Sequence, residues 1–120
     1  MSERDLSLEV LLDLDGYGFT FEPSGYSVKF NVKKVPVTPE RPHGISYALT
    51  LHAPEGARLV GFDNAHPVRA SRGPGGARRE FDHRHRLSTT RPYRYSNAQQ
   101  LLEDFWQQVY SVLDELGVET

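Results

Sequence analysis

The eight residues Tyr26-Ser27-Val28-Lys29-Phe30-Asn31-Val32-Lys33 alternate apolar and polar without a break. Side chains change face at every residue of a β-strand, so this run predicts a half-buried strand with Tyr26, Val28, Phe30 and Val32 turned inward. Ile45, Tyr47, Leu49 and Leu51 repeat the period, and after the turn residues Pro54-Glu55-Gly56 the chain reads as a strand again over 58–63. Upstream, 8–15 and 17–22 read as two strands flanking Gly16, with a second turn at Pro23-Ser24-Gly25. Pro36, Pro39 and Pro42 argue against regular pairing and predict a loop over 35–44. None of these connections has room for a helical crossover, so the expected sheet is an antiparallel meander.

The last quarter of the chain changes period. Leu101, Leu102, Phe105, Val109, Val112, Leu113 and Leu116 recur at helical spacing, Ser96 and Gln99 fit a capping box before them, and Gly117 supplies a stop. Phe105 and Trp106 are expected as core anchors. The fold class that follows is α+β, an antiparallel meander packed by one long C-terminal helix, with residues 1–120 as a single domain. The chain has no cysteine, which removes disulfides, thiol catalysis and Cys-based metal sites. It has no apolar run of membrane-spanning length and no signal-peptide core in its first ten residues, so a cytoplasmic protein is expected.

Residues 61–86 concentrate the chemistry. They hold three of the five histidines, six arginines and two aspartates: Asp63 and His66 come at the end of one strand, and Asp82-His83-Arg84-His85-Arg86 follow an Arg/Gly-rich segment. Although the net charge is −2, residues 66–94 carry eight arginines against Glu80 and Asp82, and such a local positive field attracts polyanions. Pro67, Gly73, Pro74, Gly75 and Gly76 predict a mobile surface loop over about 67–79. If residues 79–86 are extended, His83 and His85 share one face, and pairing across the loop brings them to Asp63 and His66.

Three readings of this cluster are open. In the first, His66 and one of His83 or His85 serve as base and acid on a phosphodiester. Arg79, Arg84, Arg86 and Arg91 hold phosphate, and Asp63 or Asp82 orients a ring. In RNA the 2′-hydroxyl is an internal nucleophile, so the protein needs no serine or cysteine of its own, and no cofactor is expected. In the second, Asp63, His66, His83 and His85 ligate a metal, although arginines beside them disfavour a dication. In the third, Asp63 and Asn64 cap a turn and the histidines bond strand-end carbonyls, leaving a binding module without catalysis. Tyr93 and Tyr95, beside Arg91 and Arg94, can stack bases, but the favoured reading has them alternate on a strand leading into the helix; residues 39–44 can rim the site, but a rigid turn is the favoured reading.

The strings Pro39-Glu40-Arg41-Pro42-His43-Gly44, Gly61-Phe62-Asp63-Asn64-Ala65-His66 and Asp82-His83-Arg84-His85, with Leu101-Leu102-Glu103-Asp104-Phe105-Trp106 in the helix, resemble the TumE family over roughly residues 8–116. The resemblance implies a growth-inhibiting toxin held in check by a neighbouring antitoxin, itself a small DNA-binding protein. Small toxins of this kind commonly cut RNA, which favours the acid–base reading by analogy. Many relatives carry tandem histidines after Asp-Asn-Ala, where this chain has His66 followed by Pro67.

Overall fold

The computed structural model describes residues 6–39, 41–64, 68–69, 79–80, 82–87 and 89–119. Helix α1 (Leu6–Asp13) leads into strands β1 (Gly18–Thr20), β2 (Ser27–Lys34), β3 (Ile45–His52) and β4 (Arg58–Asp63). A short pair, β5 (Val68–Arg69) and β6 (Arg79–Glu80), separates these from β7 (His83–Arg86), β8 (Thr89–Pro92) and helix α2 (Ala98–Glu115). The main sheet has six strands in the order β1-β2-β3-β4-β7-β8, antiparallel throughout. The expected α+β class and meander are therefore observed.

One segment reverses its expected state: residues 8–15 read as a strand, and the chain there is helical. Leu6, Leu8 and Val10 mimic a period of two, but Leu8, Leu11 and Leu12 also fall at helical spacing. Leu11 is fully buried, Leu8 and Leu12 pack against the core, and Val10 is exposed. Leucine is a strong helix former, and a helical face can bury these three leucines together. The strand expected over 17–22 shrinks to Gly18–Thr20. The cap of α2 also moves by one residue. Asn97, not Ser96, accepts from the backbone N–H of Gln100 at 2.8 Å, while Ser7 Oγ accepts from Gln99 N at 2.9 Å and ties α1 to the start of α2. Gly117 ends the helix as expected, with φ of 72°.

The core lies between α2 and one sheet face. Val28, Phe30, Val32, Tyr47, Leu49, Leu51, Val60 and Phe62 supply that face, and Leu101, Phe105, Val109 and Val112 the helix side. Phe105 is fully buried and meets the rings of Phe30 and Phe62 edge-on at centroid distances of 5.6 and 6.1 Å. Trp106 packs at the margin of the core, beside Phe30. Among the described residues the opposite face carries no helix, and the alternation that buries Val60 and Phe62 sends Gly61 and Asp63 to it. Most of the loop expected over 67–79 lies outside the described residues; its two ends, β5 and β6, pair with Val68 opposite Glu80.

Candidate functional site

Strand register assembles the site. In the β4–β7 ladder Asp63 stands opposite His83 and Gly61 opposite His85, all on the helix-free face. His83 Nε2 is 2.8 Å from Asp63 Oδ1, and His85 Nε2 is 3.4 Å from Asp63 Oδ2. The two imidazoles meet edge-on with centroids 4.8 Å apart. One carboxylate thus serves two rings. His83 and Asp63 are buried, whereas the His85 side chain keeps 17% of its surface exposed. The Nδ1 of His85 lies 2.9 Å from Thr90 Oγ1, the residue opposite it on β8. Burial holds the His85 pKa below the usual histidine value; the charges of Arg58 and His83 add to this, and Asp63 works against it.

Asn64 fixes the end of β4. Instead of capping a turn, its fully buried amide accepts from Tyr47 N at 2.9 Å and donates to Ile45 O at 2.8 Å. The side chain continues the ladder to β3 where the backbone of β4 stops, and so sets Asp63 in place. Asp82 was one of two candidates for orienting a histidine, and the geometry gives that position to Asp63. The Asp82 carboxylate instead accepts from Tyr47 Oη at 2.8 Å, and burial raises its pKa. The rings of Tyr95 and His43 meet at a tilt with centroids 4.0 Å apart, so the loop around His43 approaches this end of the sheet. Tyr93 is buried against Phe62 and donates to Asp104 Oδ2 at 2.6 Å.

The arginines divide from the histidines. Arg84 and Arg86 alternate to the opposite face of β7, Arg91 pairs with Arg84, and with Leu87, Thr89 and Gln108 they line a cleft of about 380 Å³ beside α2. Arg86 is tied to Glu115 and bonds Ser111 Oγ at 3.3 Å. Arg84 and Arg86, expected to hold phosphate, stand on the face opposite His83 and His85, because a strand puts neighbouring residues on opposite faces. The backbone of Arg79 lies in β6, and His66 lies outside the described residues. Two residues at the site were not anticipated, Thr90 and Arg58; the register of a β7–β8 hairpin is the signal that could have found Thr90.

Chemically, the trio Asp63, His83 and His85 can relay a proton, and its ligand atoms, all within 4.8 Å of one another, can also converge on a cation. Among the described residues no helix is long and apolar enough to cross a membrane. Neither a curated protein nor a solved structure matches the chain. The family model described as Toxin TumE matches residues 24–113, a span that contains the main sheet from β2 onward, all three site residues and most of α2. The chain accordingly belongs to the TumE toxin family, as a toxin-like component of a toxin–antitoxin system.

Proposed function

We propose that this toxin cuts RNA by metal-free acid–base catalysis centred on Asp63, His83 and His85. The observation that carries the reading is the convergence of two imidazoles on one carboxylate, with the His85 ring still partly open to solvent and its pKa held below the usual histidine value by burial. When Asp63 accepts the proton on Nε2 of His85, Nδ1 becomes the lone-pair nitrogen and accepts the hydroxyl of Thr90. A substrate 2′-hydroxyl placed there gives its proton to Nδ1, and its oxygen attacks phosphorus. The P–O5′ bond breaks, leaving a 2′,3′-cyclic phosphate, and the departing oxygen takes a proton from an acid.

His66 is the proposed acid. It follows Asp63 by three residues, which keeps their Cα atoms within roughly 11 Å. His83 is too buried to meet the substrate and acts by holding Asp63. Arg79, Arg84, Arg86 and Arg91 are assigned to phosphates away from the scissile bond. The partner is proposed to be a small DNA-binding antitoxin, and the site of action the cytoplasm. A second reading, a metal-dependent enzyme with Asp63, His83 and His85 as ligands, is favoured by the same convergence and opposed by the positive charge of Arg58 nearby.

Labelled RNA incubated with the protein, with and without chelator, tests the reading beside His66→Ala, His85→Ala and His83→Ala. Cleavage that survives chelation and is lost in folded variants is expected. Loss on chelation turns the assignment to the metal. Salt-sensitive binding without any product makes the protein a binding module.

A further inference from the structure

Strand alternation assigns Arg58 to the wrong side of the sheet. Counting back from Phe62 and Val60, which face the core, position 58 belongs with them. The ladder breaks that count: Leu51 pairs with Val60 but His52 pairs with Arg58, so Leu59 is an extra residue, a β-bulge. Bulges re-aim side chains, and here the carbonyl of Leu59 accepts from Leu87 N at 2.7 Å, which anchors the bulge to the end of β7. Arg58 is thereby turned onto the helix-free face beside His85.

Gly61 makes the approach possible. A Cβ at this position would meet Arg58 Cδ at 3.3 Å, Arg58 Nε at 3.5 Å and His85 Cδ2 at 3.4 Å. The arginine and the imidazole therefore close over a residue that has no side chain of its own. Arg58 is exposed, and among the described residues no carboxylate forms an ion pair with it. Asp63, the acid beside His85 on this face, is engaged by two histidines. An exposed guanidinium that no described carboxylate engages, standing beside an imidazole, offers the fork that binds phosphate oxygens.

We propose that Arg58 binds the non-bridging oxygens of the scissile phosphate, the role that Arg84, Arg86 and Arg91 cannot fill from the opposite face. The proposal rests on the RNA-cleaving reading, and the two are separable by experiment. Inorganic phosphate is titrated into the wild type, Arg58→Gln, Arg58→Lys, Gly61→Ala and Lys34→Gln, with calorimetry at fixed salt. Arg58→Gln should weaken phosphate about tenfold, with Arg58→Lys intermediate because it keeps charge but loses the fork. Gly61→Ala should also weaken it, since the new methyl displaces Arg58. Lys34→Gln, a charge lost from the far end of β2, should change nothing.

Equal affinity in Arg58→Gln, or an equal loss in Lys34→Gln, overturns the proposal. The same variants assayed on RNA separate the two ideas. A wild type that binds phosphate through Arg58 but leaves RNA uncut keeps the anion site and ends the nuclease reading. A wild type that cuts RNA no faster than Arg58→Gln keeps the nuclease and ends the role of Arg58.

Discussion

The four residues of β7 show two surfaces built by one strand. His83 and His85 turn to the face without a helix, where they meet Asp63; Arg84 and Arg86 turn to the face that α2 covers, where Arg86 is held by Glu115 and Ser111. On the covered side, polar groups at the core margin are engaged by the helix. On the other side, titratable groups bond one another, and of the three only His85 keeps an appreciable part of its surface open. The contrast teaches that an Arg/His-rich string is two sites of different character once it is extended, and that the density of charge in the sequence overstates what any one site contains.

Substitutions can break or sharpen this contrast. The largest expected effect is on the covered side: Phe105→Ala should cost about 3–5 kcal/mol in denaturant unfolding, since it empties the contact between α2 and both Phe30 and Phe62. If His83→Ala unfolds the protein as severely, the bare face is structural and the contrast fails. Next comes Asn64→Ala, which leaves Tyr47 N–H and Ile45 C=O without their side-chain partner and should cost about 1–3 kcal/mol by the same measurement. Arg86→Ala removes a solvent-exposed ion pair, and its expected cost is below about 1 kcal/mol, shrinking further with added salt.

The smallest effect on stability and the sharpest local one belong to Arg58→Gln. Unfolding should be nearly unchanged, while the His85 ring, followed by NMR across pH, should titrate higher once the neighbouring positive charge is gone. The sign for stability follows from the depressed pKa in the wild type. The neutral ring is favoured in the fold, so the His85 contribution is fully present above its ordinary value of 6.5 and is lost as pH falls through the lower folded value. A His85 resonance that does not move in the variant would place Arg58 away from the ring.

Much of the fold was legible because long strands and a long helix repeat their period often enough to be read. The alternation in β2 and β3 and the stripe in α2 each match their elements, and the turn after residue 53 and the stop at Gly117 fall where small or rigid residues put them. Helix α1 was not legible, since over eight residues a leucine-rich run satisfies both periods and only packing against α2 and β2 decides between them. Asn97 and Ser96 are both capable caps, and a shift of one residue chose the asparagine. Asn64 looked like a turn residue; burial made it a bridge between strands.

The pairing of Asp63 with His83 and His85 was inferable from the sequence, because a hairpin folded about the glycine-rich segment brings the ends of β4 and β7 together whatever lies between them. Which side chains point to the same face is a matter of parity, and parity is a local property of an uninterrupted strand. Arg58 lies beyond that reach. A single extra residue at Leu59, held by a backbone bond from Leu87, inverts the face of Arg58 before it. Residue types and their periods therefore determined the elements and the chemistry at hand. Only the tertiary pairing decided which arginine stands beside the histidines, because a bulge is stabilised by the neighbouring strand and leaves no period in the chain that contains it.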